Sequence, residues 1–141
     1  MTKKLNRVQI DESVSYKLRN LGQSTGLTPN YIARIGLMYS LGADRPPSME
    51  EYDTDGKEFN RYTLLGEHDA LYIALVQKRM LNEGYDPDSE LESYFLAHLN
   101  RGIETLSGNI SDLGDLYNLI PKELKPEEAP AESEYDQELG R

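Results

Sequence analysis

Leu5-Asn6-Arg7-Val8-Gln9-Ile10 is the stretch that decides the fold of this 141-residue chain. Apolar and polar residues alternate along it, which predicts a half-buried strand. One face of that strand then carries Asn6, Val8 and Ile10, and the other carries Leu5, Arg7 and Gln9. Two helical patterns come directly after it, so we expect the chain to begin with a strand, a helix and a second helix.

The first helical pattern follows the strand without a linker. Asp11 or Ser13 can cap its first turn, because a short side-chain oxygen accepts hydrogen bonds from amides that have no partner within the helix. Gly22 is predicted to end the helix. The apolar residues that recur at helical spacing, and so predict its buried stripe, are Val14, Leu18 and Leu21.

The second helical pattern has a stronger start signal. Thr28 followed by Pro29 is typical of an N-cap and a first helical residue, and Gly42 is expected to end the helix after Leu41. Apolar residues leave this segment little polar surface, so we expect it to be buried on most sides. These residues are Tyr31, Ile32, Ile35, Leu37, Met38, Tyr39 and Leu41.

The rest of the chain predicts a mostly α-helical fold with two or three further helices. Residues 59–65 look extended and predict a short strand or an ordered loop. A helix is expected over 67–83, with apolar residues on so wide a face that two of its sides should be buried. The acidic turn 86–90 predicts the start of a helix that reaches about Leu106, and 110–120 predicts a last short helix.

Charge is distributed unevenly along the chain. Residues 1–43 carry six Lys or Arg and two Asp or Glu, whereas residues 86–141 carry four and fourteen, in a protein of net charge −10. A basic segment in an acidic protein indicates an anionic partner, for which DNA is the prime candidate. Such cations neutralise phosphates without reading sequence. The candidate DNA-binding residues are Lys3, Lys4, Arg7, Lys17, Arg19 and Arg34.

Each part of this candidate site has an alternative interpretation. The N-terminal cations can instead form a solubilising arm, and Arg34 can serve a salt bridge or an interface. The amides that open the second helix can hold a phosphate, although Pro29 removes one donor. Arg7 and Gln9 can face base edges from the strand. Arg61, Arg79 and Arg101 are expected to pair with nearby acids, Glu58, Glu67 or Glu104, and not to bind DNA.

The C-terminal end has the composition of a disordered tail. Residues 122–141 are acidic, rich in Pro and nearly without large apolar side chains, so they cannot bury enough surface to offset the entropy of ordering. Such a tail can act as a solubilising segment, compete with DNA for the basic residues, or reflect a salt-rich cytoplasm. Residues 1–121 are then expected to form a single domain.

Several kinds of chemistry are excluded or disfavoured. The chain has no cysteine, which excludes a disulfide, a thiolate metal site and a Cys nucleophile. The consecutive Glu67, His68 and Asp69 diverge around a helix start and predict a capping cluster, while His98 predicts a buried structural histidine. The acidic pairs of residues 50–55 predict a solvated loop. We therefore expect no enzyme activity, no catalytic residue, no metal and no cofactor.

Three blocks of the sequence form one extended pattern. The first block comprises Gly26-Leu27-Thr28-Pro29-Asn30, Arg34-Ile35-Gly36-Leu37 and Ser40-Leu41. The other two comprise Asn60-Arg61-Tyr62-Thr63-Leu64-Leu65-Gly66-Glu67 with Asp69-Ala70-Leu71, and His98-Leu99-Asn100-Arg101-Gly102. Together these blocks resemble the DndE family of DNA sulfur modification proteins. The resemblance extends from about residue 5 to residue 106, and the middle block is the most specific.

This resemblance implies a ribbon-helix-helix-like start, in which two chains pair their N-terminal strands and interlock their helices. Systems of this family replace a non-bridging phosphate oxygen of DNA by sulfur. The resemblance therefore implies a subunit that binds duplex or nicked DNA and acts beside separate ATPase and sulfurtransferase-like subunits. The absence of cysteine agrees with a member that does not itself carry sulfur.

Apolar surface predicts self-association. The second helix and the wide face of 67–83 exceed what one small domain can cover, so we expect at least a homodimer with a shared core. The family resemblance implies a tetramer.

Two functions are open at this point. The first is a DNA-binding accessory subunit of DNA phosphorothioation, and the second is a protein scaffold within the modification complex with no direct DNA contact. A regulator that prefers one DNA sequence is a lesser third. No apolar run approaches the length that spans a bilayer, so a cytoplasmic protein is expected.

Overall fold

The computed structural model describes residues 5–118, so the predicted tail 122–141 and the candidate ligands Lys3 and Lys4 lie outside it. A short 3-10 turn, Gly66–His68, precedes the fourth helix. The elements are β1 (Arg7–Gln9), α1 (Glu12–Thr25), α2 (Pro29–Leu41), β2 (Glu58–Asn60), α3 (Arg61–Leu65), α4 (Asp69–Glu83), α5 (Leu91–Asn109) and α6 (Leu113–Asn118). The mostly helical class is confirmed, whereas the division at residue 121 stays a prediction.

The two strands form an antiparallel ribbon within one chain, with Val8 opposite Phe59. Both of these side chains are buried, and Arg7 is exposed, so the predicted alternation is confirmed inside β1. It is wrong just before the strand, where Leu5 is buried and Asn6 is exposed, because regular strand geometry begins only at residue 7. Pairing of strands between two chains stays a prediction.

Helix α1 starts at the first of its two predicted caps. The Asp11 carboxylate accepts hydrogen bonds from the backbone N–H groups of Ser13 at 2.8 Å and Val14 at 3.3 Å. The predicted end at Gly22 is wrong, since the helix continues to Thr25 and Gly26 terminates it with φ at 79°. Glycine adopts this left-handed conformation without the steric cost that other residues meet.

Helix α2 has the predicted bounds but not the predicted burial. Ile32 and Leu37 are buried, yet Tyr31, Met38 and Tyr39 are exposed. The helix therefore packs one side against the core and presents the other to solvent, and the expectation that most of its sides are buried is wrong for the single chain.

Helix α5 is the centre of the core, and α2 packs directly against it. A Cβ added to Gly36 of α2 would lie 2.9 Å from the carbonyl carbon of Gly102 in α5, so the two backbones touch. The predicted α5 stripe is confirmed, whereas its predicted start is early, because 86–90 forms a turn before the helix begins at Leu91. The buried stripe residues are Leu91, Tyr94, Phe95, Leu99 and Ile103.

The segment between the ribbon and α5 is more helical than predicted. Within 59–65 only the first residues are extended, and Asn60 caps α3 by accepting from the N–H of Tyr62 at 2.9 Å. Helix α4 buries only Val76 and Met80. Its two-sided burial is wrong for the single chain, since Leu71, Leu75 and Leu81 are exposed, whereas Tyr72 and Ile73 are partly buried against the core. The last short helix is confirmed as α6.

Candidate nucleic-acid interface

Arg7 lies on the exposed face of the ribbon. Its Nη1 is 3.8 Å from Oε2 of Glu58 on the neighbouring strand, and both side chains are half exposed or more. A surface pair of this kind is weak, so a DNA phosphate can replace Glu58. Gln9 differs, because its Nε2 donates to the carbonyl of Gly56 at 2.8 Å and is directed along its own chain.

Lys17 points from α1 toward α5. Its Nζ lies 3.4 Å from Oε2 of Glu104, whose other oxygen accepts from the Tyr52 hydroxyl at 2.7 Å. Burial, together with this carboxylate, raises the pKa of Tyr52, so the hydroxyl stays a donor. Glu104 is therefore held in place and competes with any phosphate for Lys17.

Arg19 lies beside a groove between α1 and the residues before β2. Its guanidinium carbon is 5.5 Å above the ring of Tyr16. The groove has a volume of about 440 Å³ and is lined by residues of both charges, Arg19 and Lys57 among the cations and Glu12 and Asp55 among the acids. Lys57 was missed by the sequence argument, because it lies in an acidic stretch.

Arg34 joins α2 to α3. Its Nε donates to the carbonyl of Leu64 at 2.7 Å and its Nη2 to the carbonyl of Thr63 at 3.3 Å, while its guanidinium carbon is 5.3 Å above the ring of Tyr31. These contacts fix the cation without neutralising it. The alternative of a salt bridge is wrong within residues 5–118, where no carboxylate pairs with Arg34.

The four candidate cations that the structure describes share no contact. Arg7 meets β2, Lys17 meets α5, Arg19 meets the groove, and Arg34 meets α3. Several separate phosphate contacts fit this arrangement better than one anion pocket. Their role in DNA binding stays a prediction.

The start of α2 shows only part of the expected anion site. Pro29 is the first helical residue, as predicted, but the Thr28 side chain makes no capping hydrogen bond. The N–H of Ile32 is bonded to the carbonyl of Thr28 at 3.2 Å, as in an ordinary first turn. Phosphate binding there stays a prediction.

One residue of the acidic loop before β2, Asp53, makes hydrogen bonds to the start of α1. Asp53 accepts from the N–H of Glu12 at 3.0 Å, and its own N–H donates to Asp11 at 2.9 Å. Burial alone would raise the pKa of Asp11, but hydrogen bonds from Asp53, Ser13 and Val14 lower it. Asp53 is exposed, as expected of a solvated loop, and its carboxylate also helps to cap α1.

Arginines outside the candidate set are occupied by the fold. Arg79 donates to the carbonyl of Leu41 and pairs with Glu83 at 2.7 Å. Arg101 donates to the carbonyl of Ser40 at 3.0 Å, so both arginines satisfy the last carbonyls of α2. The predicted partners Glu58, Glu67 and Glu104 were wrong for these arginines. Arg61 pairs with Asp69 at 2.9 Å and Arg79 with Glu83, while Arg101 contacts a backbone carbonyl.

His98 is a buried structural residue, as predicted. Its Nδ1 lies 2.8 Å from the Ser40 hydroxyl, while Nε2 is buried without a hydrogen-bond partner in the described structure. Burial, then the positive charges of Arg101 and Arg79, lowers the pKa of His98 to about 3. The ring is therefore neutral at physiological pH and shares a buried hydrogen bond with the Ser40 hydroxyl.

The second histidine forms no convergent site. His68 Nε2 is 3.5 Å from the Glu67 carboxylate, with both side chains largely exposed. Among residues 5–118 no group of three or more His, Asp or Glu is arranged to hold a metal ion. No helix in the same range is long and apolar enough to cross a membrane.

These features define a mainly helical protein with a short two-stranded ribbon and separate cations on its surface. Residues 7–112 match the family model described as DNA sulphur modification protein DndE. Because the match covers most of the sequence, the chain belongs to the DndE family, and the resemblance noted above is confirmed.

Solved structures agree with this assignment. DndE from Escherichia coli B7A, involved in DNA phosphorothioation modification, is 30% identical with a TM-score of 0.58, and the match covers 75% of this chain and 99% of that one. A mutant DndE involved in DNA phosphorothioation is 28% identical, with the same TM-score and coverage. No curated protein matches the chain.

Proposed function

We propose that this chain is a DNA-binding accessory subunit of a DNA phosphorothioation system. It binds the backbone of duplex or nicked DNA and does not itself catalyse sulfur transfer. The observation that carries the proposal is its membership of the DndE family, together with the match to nearly the whole of a DndE involved in that modification. Its partners are then DNA and the ATPase and sulfurtransferase-like subunits of the system, in the cytoplasm.

The surface chemistry supports contact with phosphates. Arg7 and Lys17 each face a single carboxylate across 3.8 Å and 3.4 Å, and exposed pairs of this kind contribute only about 0–1 kcal/mol. Phosphate oxygens can therefore replace Glu58 at little cost and compete with the more firmly held Glu104, with release of counterions from the DNA. Without cysteine the chain has no thiol to carry sulfur, which supports an accessory role.

Assembly into a homo-oligomer, a tetramer in this proposal, is supported by the edge of the ribbon. On the edge of β1 that faces β2, the carbonyl of Asn6 and both the N–H and C=O groups of Ile10 form hydrogen bonds. Because hydrogen-bonding groups alternate in direction along a strand, the N–H and C=O groups of Arg7 and Gln9 face the opposite edge. A second β1 can pair there, as in a ribbon-helix-helix dimer.

A scaffold without DNA contact is the second candidate, and the outer face of α4 favours it. Leu71, Leu75 and Leu81 are each more than half exposed, and such apolar side chains suit a protein partner better than a phosphate backbone. The same face can also serve self-association, so the two candidates are separated by DNA binding itself.

The test is a titration of labelled intact and nicked duplex DNA at two salt concentrations. Binding should weaken steeply as salt rises, and replacing Lys3, Lys4, Lys17 and Arg19 by Glu should abolish it. Lys78→Glu is the control for each of these substitutions made singly, because it replaces one cation by one acid on the exposed face of α4 and should act only through net charge. Undetectable binding at low salt would establish the scaffold instead.

A further inference from the structure

Three exposed tyrosines carry an arginine over the ring. The exposed fractions are 54% for Tyr16, 55% for Tyr31 and 57% for Tyr62. The guanidinium carbons lie 5.5 Å, 5.3 Å and 4.9 Å from the respective ring centres, and belong to Arg19, Arg34 and Arg61. Such distances are typical of a cation–π contact.

Two of the three arginines retain their charge for a ligand. Arg61 is neutralised, because its Nε and Nη2 both contact the Asp69 carboxylate at 2.9 Å. Arg34 instead donates to two backbone carbonyls, and Arg19 forms no ion pair with any residue of the described part of the chain. The pairs at Tyr31 and Tyr16 therefore differ from the pair at Tyr62.

Core packing does not account for these two tyrosines. Each lies on the side of its helix opposite the buried residues, which are Val14, Leu18 and Leu21 in α1 and Ile32, Ala33, Gly36, Leu37 and Ser40 in α2. With more than half of each side chain exposed, ring surface is left for a second planar group. A rigid aromatic ring beside an uncompensated guanidinium offers stacking and a phosphate contact at the same place.

We propose that Tyr31 with Arg34, and Tyr16 with Arg19, bind unpaired DNA bases by stacking, with each guanidinium contacting an adjacent phosphate. This proposal rests on the proposed DNA binding and adds a ligand class to it. Stacking is tolerant of sequence, because every base has a π face, and each stacked base is expected to strengthen binding by roughly tenfold.

The groove beside Tyr16 suits such a ligand. Its volume of about 440 Å³ lies within the range of small-molecule sites, roughly 300–1,000 Å³. Its mixture of two cations and two acids disfavours a bare anion and favours a nucleotide, which presents both a ring and a phosphate. Pro29 also lines this groove, whereas Tyr31 and Arg34 are not among its lining residues, so the two pairs offer separate stacking sites.

The experiment compares a duplex that contains a gap of a few unpaired nucleotides with the same duplex when intact. The wild-type chain should bind the gapped DNA more tightly. Tyr31→Leu and Tyr16→Leu should each weaken binding to gapped DNA by roughly tenfold and leave the intact duplex unchanged. Tyr31→Phe keeps the ring and should bind like the wild type.

A matched control is available on the same helix. Tyr39 is 43% exposed and carries no arginine over its ring among the described contacts, so Tyr39→Leu should leave binding to both DNAs unchanged. A 2-aminopurine base placed in the gap reports stacking directly. Its fluorescence should be quenched by the wild-type chain and by Tyr31→Phe, and less by Tyr31→Leu.

The outcomes separate the two proposals. Equal affinity for gapped and intact DNA, or unchanged binding by both leucine variants, overturns base stacking while salt-dependent duplex binding leaves the accessory role standing. An effect of Tyr39→Leu as large as that of Tyr31→Leu also overturns it. Failure to bind any DNA at low salt overturns both proposals together.

Discussion

Gly36 of α2 and Gly102 of α5 touch through their backbones. A Cβ added to Gly36 would lie 2.9 Å from the carbonyl carbon of Gly102, and one added to Gly102 would overlap the carbonyl group of Gly36. This contact lets α2 approach the central helix, and it fixes how far α2 can turn its outer face, with Tyr31 and Arg34, toward solvent.

Gly102→Ala should therefore destabilise the protein. The added methyl group meets backbone and not the flexible end of a side chain, so the helices must separate, and we expect a loss of about 1–3 kcal/mol or more. Urea unfolding measures it. Gly108→Ala is the control in the same helix, because a Cβ there meets nothing within 4 Å, and it should raise stability by up to about 1 kcal/mol. Equal effects of the two substitutions would show that the helices do not touch at Gly102.

The buried His98 predicts a loss of stability in acid. Its pKa is about 3 in the folded chain against an ordinary value of 6.5, so between these pH values the unfolded chain binds the extra proton. The contribution of His98 to the free energy of unfolding should therefore be complete above pH 6.5 and decrease as the pH falls toward 3. The contribution of this residue reaches about 3 kcal/mol by pH 4.

Substitutions at the two histidines isolate this effect. His98→Gln should flatten the dependence of unfolding free energy on pH between about 6.5 and 4, whatever its effect at neutral pH. His68→Gln is the matched surface control, the same substitution at a side chain that is 70% exposed and outside the core. The carboxylates of Asp11 and Glu83, whose pKa values are lowered, add a further loss at still lower pH in all three proteins. A wild-type slope in His98→Gln would contradict the prediction.

Local signals predicted the fold well where a single residue determines the backbone. Thr28 and Pro29 gave the start of α2, and Asp11 was one of two predicted caps for α1. Gly22 misled the prediction, because a glycine can remain inside a last turn when another glycine four residues later terminates the helix at a positive φ. Periodicity identified the buried stripe of α5, because the spacing of apolar residues along one helix is also a local signal.

Long-range contacts were beyond a sequence argument. That β1 pairs with Glu58–Asn60, and that Arg34 is held by the carbonyls of Thr63 and Leu64, depends on how distant segments meet. Charge patterning identified Arg7, Lys17 and Arg19 as candidate cations. It did not predict their neighbours, because the carboxylates that face Arg7 and Lys17 lie on other elements, and the ring beside Arg19 is placed by the geometry of α1. Exposure of Leu71 and Leu75 was missed because an apolar face predicts burial without saying what covers it.

The exposed face of α4 predicts the oligomeric state. Leu75→Glu should reduce the mass measured by light scattering at micromolar concentration, because a charge on an apolar contact surface opposes association. The thermal midpoint of the separated chain should stay within a few degrees, since Leu75 is 52% exposed. Leu113→Glu makes the same change at a similarly exposed residue of α6 and should leave the mass unchanged. A wild-type sample that is only a 16.0 kDa monomer would contradict the proposed assembly.

Acidic side chains that face the candidate cations should limit DNA affinity. Glu104→Gln removes the charge that competes with phosphate for Lys17, and its remaining oxygen can still accept from the Tyr52 hydroxyl, so the local fold should be kept. Glu58→Gln does the same for Arg7. Each substitution should raise the affinity for duplex DNA, because the cation no longer has to leave a carboxylate before it meets the backbone.

The control for this gain is Glu50→Gln, an exposed acid for which no ion pair is seen among the described residues. All three variants lose one negative charge, so the general effect of net charge is shared. We expect Glu104→Gln and Glu58→Gln to exceed Glu50→Gln by roughly two- to fivefold in affinity at low salt, from the usual strength of an exposed ion pair. The excess should vanish when Lys17→Gln or Arg7→Gln is combined with the corresponding acid substitution. If all three acid variants gain equally, Lys17 and Arg7 do not contact DNA, and the phosphate contacts must lie elsewhere on the chain.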